Sequence, residues 1–373
     1  MTKDLGVGII GCGNISSAYL KLAPTFNGYD IRAVADINMD SATARAAEFG
    51  VRADSVEGLL AADDIDLVIN LTIPAAHVDV SRAILQAGKH VYSEKPFVLS
   101  PAEAQELGQI AEANGLRIGS APDTFMGGSH QLARNIVDSG AIGTVTSGVA
   151  VVMSSGMEDW HPNPDFFFKK GAGPILDIGP YYVCNLVQML GPVKQVTSFT
   201  GAAHPTRTIG NGPRNGEVIP VETPTTIHSV LSFESGAIIT LLASWDVCAS
   251  NHPSMELYGT KATMNVPDPN WFGGTLTVTE RGGAPVDHSW DHPFSVPNFE
   301  EVHANYRGAG LADMALSIAA GTTHRCNADF ATHVVEVMTA ILDAGEQGKV
   351  ITLSTTCARP DVLDPEQARA LLA

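Results

Sequence analysis

Three side chains in this sequence have the chemical types that proton and charge chemistry requires: Lys95, Asp177 and Tyr181. Lys95 stands in the run Ser93-Glu94-Lys95-Pro96, directly after a short stretch that predicts a parallel strand. In open α/β sheets, ligands bind at the carboxyl ends of the strands. An ammonium group there can hydrogen-bond a substrate hydroxyl and stabilise negative charge on oxygen. Loop lysines are more often simply solvated, so position alone leaves both interpretations open.

Asp177 and Tyr181 are four residues apart, so a helix through both would place them on one face. Pro180 fits an α-helix only near its first turn, which predicts that the helix begins around Gly179 or just before it. Tyr181 has two interpretations: a group that takes part in chemistry, or an aromatic ring packed beside Tyr182 at a domain interface.

A glycine-rich loop, Gly11-Cys12-Gly13-Asn14-Ile15-Ser16, follows the apolar stretch 5–10 and precedes helical spacing over 15–23. Small residues at such a turn let the backbone approach a pyrophosphate, whose charge the helix N-terminus stabilises. Ser16 replaces the third glycine of the common fingerprint but is still small enough for helix–strand packing. The candidate cofactor-binding residues of this loop are Gly11, Gly13, Asn14 and Ile15.

Asp36 ends the next predicted strand, where a carboxylate can accept hydrogen bonds from the ribose hydroxyls of a dinucleotide. The same charge would repel a 2′-phosphate, and Ile37-Asn38 supplies no arginine to offset it. These residues favour NAD(H) over NADP(H). The alternative is that Asp36 is a solvated residue at a strand end.

The elements that must position these residues change character near residue 124. Strands alternate with helices up to there, which predicts parallel pairing in a doubly wound, Rossmann-type sheet. The later segments predict an α+β domain with a large, mostly antiparallel open sheet, and the Gly/Pro-rich stretch 201–224 predicts one long surface loop. We therefore expect a dinucleotide-binding domain over 1–123 and a substrate-binding and oligomerisation domain over 124–373. The predicted strands are 5–10, 31–35, 66–71, 90–93, 116–120, 144–153, 195–200, 225–234, 237–246, 254–259 and 275–280.

Composition and charge exclude several classes of protein. The net charge of −18 argues against nucleic acid or an anionic membrane as the main partner, because both are bound through clustered Lys and Arg. The N-terminal residues lack the layout of a signal peptide and no long apolar stretch follows, so we expect a cytoplasmic protein without membrane spans. Five widely spaced cysteines and the spacing of the histidines predict neither disulfides nor a metal site.

At this point the chain resembles the Gfo/Idh/MocA family, named for glucose–fructose oxidoreductase and inositol dehydrogenase. The run Glu94-Lys95-Pro96 after a Rossmann pattern is the most specific part of the resemblance, which spans nearly the whole chain. The other matching segments are Gly11–Ser16 with Asp36, Thr72-Ile73-Pro74 with His77, Ala121-Pro122-Asp123-Thr124-Phe125, Asp177 to Tyr181, and Tyr306-Arg307-Gly308-Ala309-Gly310.

The resemblance implies hydride transfer between nicotinamide and a carbinol or carbonyl carbon of a sugar, cyclitol or related polyol. Lys95 would then bind and polarise the reacting oxygen, and Asp177 would orient the substrate or support a proton relay. Most relatives carry histidine where Tyr181 stands, and a phenol there could serve as acid or base if a nearby Lys95 lowered its pKa from about 10. The further cofactor-binding residues implied are Thr72, Pro74, His77, Glu94 and Lys95.

Trp160 and His161 could line the substrate pocket together with Lys95, Asp177 and Tyr181, or they could anchor a long loop. Beside a sugar or polyol dehydrogenase, the sequence leaves open a glycosidase that acts through transient oxidation by NAD, and a non-catalytic NAD-dependent sensor. The resemblance also implies a homodimer or homotetramer formed through the open face of the antiparallel sheet.

Overall fold

The computed structural model describes residues 4–373, so residues 1–3 of the first predicted domain lie outside it. The first part of the chain forms a six-stranded parallel sheet in the order β3-β2-β1-β4-β5-β6, which confirms the predicted doubly wound fold. Its elements are β1 Leu5–Ile10, α1 Asn14–Leu22, β2 Tyr29–Ala35, α2 Met39–Phe49, β3 Arg52–Asp54, α3 Val56–Ala61, β4 Leu67–Asn70, α4 His77–Gln86, β5 His90–Ser93, α5 Pro101–Ala113 and β6 Ile118–Ser120.

Local sequence explains why these elements begin and end where they do. The central strands are apolar on both faces, as a sheet covered by helices on both sides requires, and the adjacent residues Ile9 and Ile10 are both buried. Helix α5 begins where the Ser100 hydroxyl accepts a hydrogen bond from the Glu103 amide. Helix α2 ends at Gly50, whose φ of 71° favours glycine. The strands all run in one direction, so the loops after β1, β2, β4 and β5 meet at one edge of the sheet.

The second part of the chain contains a nine-stranded, mostly antiparallel sheet in the order β16-β15-β14-β13-β7-β12-β11-β8-β17. Helices α8 and α10 pack against one face. On the other face, Phe199 opposes His228 in register and is 82% exposed. The elements are α6 Gly128–Asp138, β7 Val145–Met153, α7 Pro174–Asp177, α8 Gly179–Leu190, β8 Val193–Gly201, β9 Thr206–Thr208, β10 Val218–Pro220, β11 Thr226–Phe233, β12 Ile238–Ser244, β13 Met255–Gly259, β14 Ala262–Val266, β15 Leu276–Glu280, β16 Val286–His288, α9 Ala309–Ala320, α10 Ala328–Gln347, β17 Ile351–Thr352 and α11 Pro365–Ala370.

The prediction of one long surface loop over 201–224 was wrong. Strands β9 and β10 pair as an antiparallel hairpin within it. Ile209 and Ile219 are buried there against Phe168 and Trp245, in a small second core. Strands of three residues carry too little periodicity to be recognised, and here packing onto distant aromatic rings stabilises them.

The C-terminal segments return to the Rossmann sheet. Gly119 of β6 packs against Met314 of α9, and the Ser120 amide donates a hydrogen bond of 3.0 Å to the Cys326 carbonyl. An isolated antiparallel bridge between Gly119 and Asn327 covers the outer edge of β6. Residues that the sequence assigned to the second domain therefore complete the first, and the linear division at residue 123 stays a prediction.

Two kinds of feature are absent from the described residues. Within residues 4–373, no helix has the length and apolarity needed to cross a bilayer. Over the same residues, no group of three or more His, Cys, Asp or Glu side chains is placed to hold a metal ion.

Four buried histidines predict a loss of stability on acidification. Burial lowers the pKa of His130, His292, His324 and His333 to about 4. The unfolded chain takes up these protons near pH 6.5, so this stability is complete above that pH and is lost as the pH falls toward 4. For the fully buried His130 the loss amounts to about 3 kcal/mol.

Urea denaturation between about pH 7.5 and about pH 4.5 measures this loss as a falling midpoint. The variant His130→Gln should show a shallower pH dependence than the wild type, whereas exchange of the exposed His204 to Gln should leave it unchanged. Equal pH dependence in all three proteins would contradict the assignment.

Candidate active site

Lys95 and Asp177 form an ion pair between the two sheets. The Lys95 Nζ atom lies 2.8 Å from the Asp177 Oδ1 atom and 2.8 Å from its backbone oxygen. The side chains are only 17% and 18% exposed, so water screens the pair weakly. Burial alone would lower the pKa of Lys95, but interaction with Asp177, Tyr181 and Glu94 outweighs it and the pKa is raised. Lys95 is therefore an ammonium ion at neutral pH.

Asp177 and Tyr181 belong to two consecutive helices rather than one. Helix α7 ends at Asp177 and α8 begins at Gly179, with Pro180 in its first turn as the sequence predicts. Asp177 and Tyr181 therefore do not share one helix, because the proline starts a new helix after Asp177. Both residues are nevertheless brought to Lys95, whose Nζ atom lies 5.4 Å from the centroid of the buried Tyr181 ring.

Arg307 is a second cation beside Tyr181, and sequence reasoning assigned it no role. Its Cζ atom lies 5.9 Å from the centroid of the Tyr181 ring and 5.6 Å from that of Trp271. The guanidinium donates to the Asn305 Oδ1 atom at 2.9 Å and to the Asn270 Oδ1 atom at 2.8 Å. Burial opposes its charge, but Tyr181 and nearby carboxylates raise the pKa of Arg307. Its only sequence signal was membership of the run Tyr306–Gly310.

Glu94 and His77 hold the loop that carries Lys95. The Glu94 carboxylate accepts hydrogen bonds from the Tyr19 hydroxyl at 2.9 Å and from the Lys95 amide at 3.0 Å. The His77 ring lies between the carbonyl oxygens of Pro96 and Thr72, at 2.7 and 3.0 Å from its two nitrogens. Burial lowers the pKa of His77. Both residues stay predicted cofactor contacts, and the structure shows that these polar atoms also hold the loop in place.

The glycine loop leaves an open cradle at the N-terminus of α1. Gly11 has a φ of 105°, and a Cβ atom there would lie 2.6 Å from the Leu71 carbonyl oxygen, so a side chain has no room. Gly13 is exposed, and nothing lies within 4 Å of the position that its Cβ would occupy. No side chain caps the helix, whose first residues are Asn14 and Ile15. Ser16 stands where the common fingerprint has its third glycine. Its hydroxyl donates a hydrogen bond to the Gly13 carbonyl at 2.6 Å.

Asp36 lies beside this cradle. Its carboxylate accepts hydrogen bonds from the Cys12 amide at 2.8 Å and the Asn38 amide at 2.9 Å, and the side chain stays partly exposed. Thr72 and Pro74 follow β4 at the same edge, where the Thr72 hydroxyl donates to the Asn70 side chain at 2.7 Å. An open helix N-terminus with a carboxylate at the adjoining strand end fits a dinucleotide.

Trp160 and His161 lie in the loop after β7 and differ in their surroundings. Trp160 is 63% exposed and lines a cavity of about 370 Å³ together with Ile178 and Tyr182. The His161 ring packs at 5.1 Å from that of Phe167, beside the small second core. The structure therefore places Trp160 next to the helix that carries Tyr181, and it places His161 among the aromatic residues that anchor the loop.

Comparison with known families agrees with this architecture. Residues 5–121 match the oxidoreductase family with an NAD-binding Rossmann fold, GFO_IDH_MocA, and residues 130–265 match the C-terminal domain of the same family. The chain is 35% identical over 147 residues to inositol 2-dehydrogenase of Salmonella typhimurium, which covers 37% of this chain and 43% of that protein. It is 23% identical over 293 residues to levoglucosan dehydrogenase of Pseudarthrobacter phenanthrenivorans, 70% of this chain and 73% of that protein.

Solved structures share the fold over almost the whole chain. A levoglucosan dehydrogenase in complex with NADH and L-sorbose superimposes with a TM-score of 0.81, at 20% identity, over 95% of this chain and all of that one. At 20% identity, the likeness to this solved structure shows the fold alone. The segment that aligns with the Salmonella inositol 2-dehydrogenase spans less than half of that protein. The two family matches together cover more than half of the chain and confirm the resemblance seen in the sequence. The chain therefore belongs to the GFO/IDH/MocA family of oxidoreductases with an NAD-binding Rossmann fold.

Proposed function

We propose that this chain is an NAD(H)-dependent oxidoreductase that moves a hydride between the cofactor and a carbinol or carbonyl carbon of a sugar, cyclitol or related polyol. The observation that carries the proposal is the cluster of Lys95, Asp177 and Tyr181 at the same sheet edge as the glycine cradle. Relatives named inositol 2-dehydrogenase and levoglucosan dehydrogenase support the substrate class.

The residues that would hold the cofactor line one edge of the Rossmann sheet. Gly11, Gly13 and the first amides of α1 would hold the pyrophosphate, and Asp36 would hold the ribose hydroxyls. Thr72 and Pro74 would continue the site past β4. When bound, NAD supplies the hydride acceptor for oxidation of an alcohol, or the donor for the reverse reaction.

Lys95 is suited to hold the reacting oxygen. An ammonium group has three N–H donors, and two of them point to the Asp177 carboxylate and carbonyl. The third is available to a substrate hydroxyl or carbonyl oxygen, where the positive charge would stabilise developing negative charge.

Because the pKa of Lys95 is raised, we assign the proton transfer to Tyr181 rather than to Lys95. Lys95 and Arg307 both lie within 6 Å of the centroid of its ring.

The direct test is a screen of NAD reduction against neutral sugars, cyclitols and sugar acids, with the reverse reaction followed by NADH oxidation. We expect turnover of at least one neutral polyol. Absence of turnover with every compound, in protein shown to bind NADH, would overturn the proposal.

Asp36 is expected to set the preference for NAD over NADP. The variant Asp36→Asn keeps the shape of the side chain and an acceptor for the Cys12 amide but removes the charge. The Kd ratio of NADP to NAD should fall by about tenfold, because a charge-assisted hydrogen bond is lost and the repulsion of a 2′-phosphate disappears. Fluorescence titration with NADH and NADPH measures this ratio. Asp40→Asn, which removes an exposed charge from the start of α2, is the control, and an unchanged ratio in Asp36→Asn would contradict the role.

We also propose that the chain forms a homodimer or homotetramer through the open face of the nine-stranded sheet. Phe199, Val230 and Ile238 lie exposed there at 82%, 38% and 52%, on a sheet face that no helix covers within residues 4–373. Sedimentation equilibrium that returns the mass of a single chain would contradict this.

The five free cysteines suit a reducing compartment such as the cytoplasm. The net charge of −18 argues against nucleic acid as a partner.

A further inference from the structure

A polar cavity adjoins the Lys95 cluster on the side of the nine-stranded sheet. It has a volume of about 370 Å³ and lies between the end of β7, the start of α8 and the segment after β14. Two contacts connect it with the reacting centre: Ile178, which lines it, directly follows Asp177, and Asn270, which also lines it, accepts a hydrogen bond from Arg307. A substrate whose reacting carbon lies at Lys95 would therefore extend toward this cavity.

Asp268 and Asn270 present a fixed acceptor and a fixed donor to the cavity. The Asp268 Oδ1 atom accepts from the Asn270 amide at 3.0 Å and from the Tyr182 hydroxyl at 3.3 Å. The Asn270 Oδ1 atom accepts from Arg307 at 2.8 Å, which fixes the orientation of the side-chain amide. Within residues 4–373, the Asp268 Oδ2 atom and the Asn270 side-chain nitrogen have no hydrogen-bond partner. One carboxylate acceptor beside one amide donor matches two hydroxyls on adjacent carbons, since each hydroxyl both donates and accepts.

The rest of the lining suits a sugar ring and disfavours an anion. Trp160 offers an exposed aromatic face at the rim, on which the C–H face of a ring can pack. Ser250, His252 and Ser254 add further hydrogen-bonding groups. No Lys or Arg lies among the described residues that line the cavity, and Asp268 places negative charge there. A carboxylate or phosphate entering this cavity would meet repulsion from Asp268, and the nearest guanidinium, that of Arg307, is already engaged by Asn270 and Asn305.

We propose that this cavity is a subsite for a neutral vicinal diol of the substrate, held by Asp268 and Asn270, and that it excludes sugar acids, phosphorylated sugars and nucleotide-linked sugars. The inference rests on the proposed function for the position of the reacting carbon. A subsite of this kind would distinguish this chain from relatives such as the dTDP-sugar 3-reductase of Actinomadura kijaniata, whose name indicates a nucleotide-linked substrate.

The test uses the full chain loaded with NADH and measures ligand binding as well as turnover. Saturation-transfer NMR with D-glucose, myo-inositol and levoglucosan should report binding, whereas D-glucuronate, glucose 6-phosphate and dTDP-glucose should bind at least tenfold more weakly. Asp268→Asn should weaken binding of the neutral compound, and raise its KM, by about tenfold with kcat within threefold of the wild type. Asp287→Asn, an exposed charge on β16, should change neither.

The outcomes separate the subsite from the reaction. Binding of a neutral polyol that Asp268→Asn weakens supports the subsite even if no compound is turned over, in which case only the proposed function fails. Turnover of a polyol with an unchanged KM in Asp268→Asn overturns the subsite and leaves the function standing. Equal or tighter binding of the anionic compounds, or no binding by any of the six, also overturns it. A circular dichroism spectrum and a thermal midpoint that match the wild type would show that the variant is folded.

Discussion

Replacing Lys95 with methionine is expected to lower kcat by about 10³-fold while the Kd for NADH changes little. Methionine is close to lysine in length and fills the same space, so the variant removes mainly the ammonium group. Loss of a charged donor aimed at the reacting oxygen costs about 10²- to 10³-fold in comparable sites. Asp177 then loses the partner of its 2.8 Å ion pair, which adds to the effect through its altered position.

Lys169→Met is the matched control for this experiment. Lys169 also pairs with a carboxylate, Glu222, at 2.7 Å, but both side chains are nearly half exposed. Surface pairs of this kind contribute less than about 1 kcal/mol, so its kcat should match that of the wild type. A Lys95→Met enzyme that retains more than a tenth of the wild-type kcat would rule out Lys95 as the residue that holds the reacting oxygen.

Replacing Tyr181 with phenylalanine is expected to lower kcat by about 10²- to 10⁴-fold, the range for loss of a general acid or base. The ring remains, so its contacts with Lys95 and Arg307 are kept and only the phenol oxygen is removed. If Tyr181 accepts the substrate proton, the rise of the oxidation rate with pH should disappear in the variant. Stopped-flow measurement of NADH formation over the pH range gives both quantities.

Tyr258→Phe serves as the control for the loss of a tyrosine hydroxyl. Tyr258 hydrogen-bonds Glu256 on β13, far from α8 in the chain, and its removal should leave kcat and the pH profile unchanged. A Tyr181→Phe enzyme with the wild-type pH profile would move the proton transfer to another group. The same profile with a uniformly lower kcat would mean that the hydroxyl positions the substrate without transferring a proton.

The first half of the fold was predictable because its signals are local. Glycines after helices, such as Gly50, and the Ser100 cap mark element boundaries within a few residues of their observed places. The position of Lys95 at a sheet edge followed from strand direction alone. The glycine cradle was predictable for the same reason, since a strand, a turn and a helix follow one another without interruption.

The rest of the site depends on contacts between distant segments. Arg307 reaches Tyr181 across more than one hundred residues, and no pattern around either residue predicts their contact. His77 has the spacing of a cofactor contact, and its ring also contacts the backbone of two loops. That contact depends on where the fold puts the carbonyl oxygens of Thr72 and Pro96, which the sequence does not indicate. Sequence reasoning likewise named neither α9 nor α10. Helix α9 is apolar around most of its surface and therefore lacks a clear periodic pattern.

The cover over strand β6 bears on how the chain matures during synthesis. The free edge of β6 at Gly119 is closed by Asn327, which the ribosome adds about two hundred residues later. At a translation rate of about 5 to 20 residues per second, the edge of β6 stays unpaired for roughly 10 to 40 s. An unpaired strand edge is a template for pairing with other chains. The nascent cofactor domain is therefore expected to be most prone to aggregation in that interval, and slower translation of the second half would lengthen the exposure.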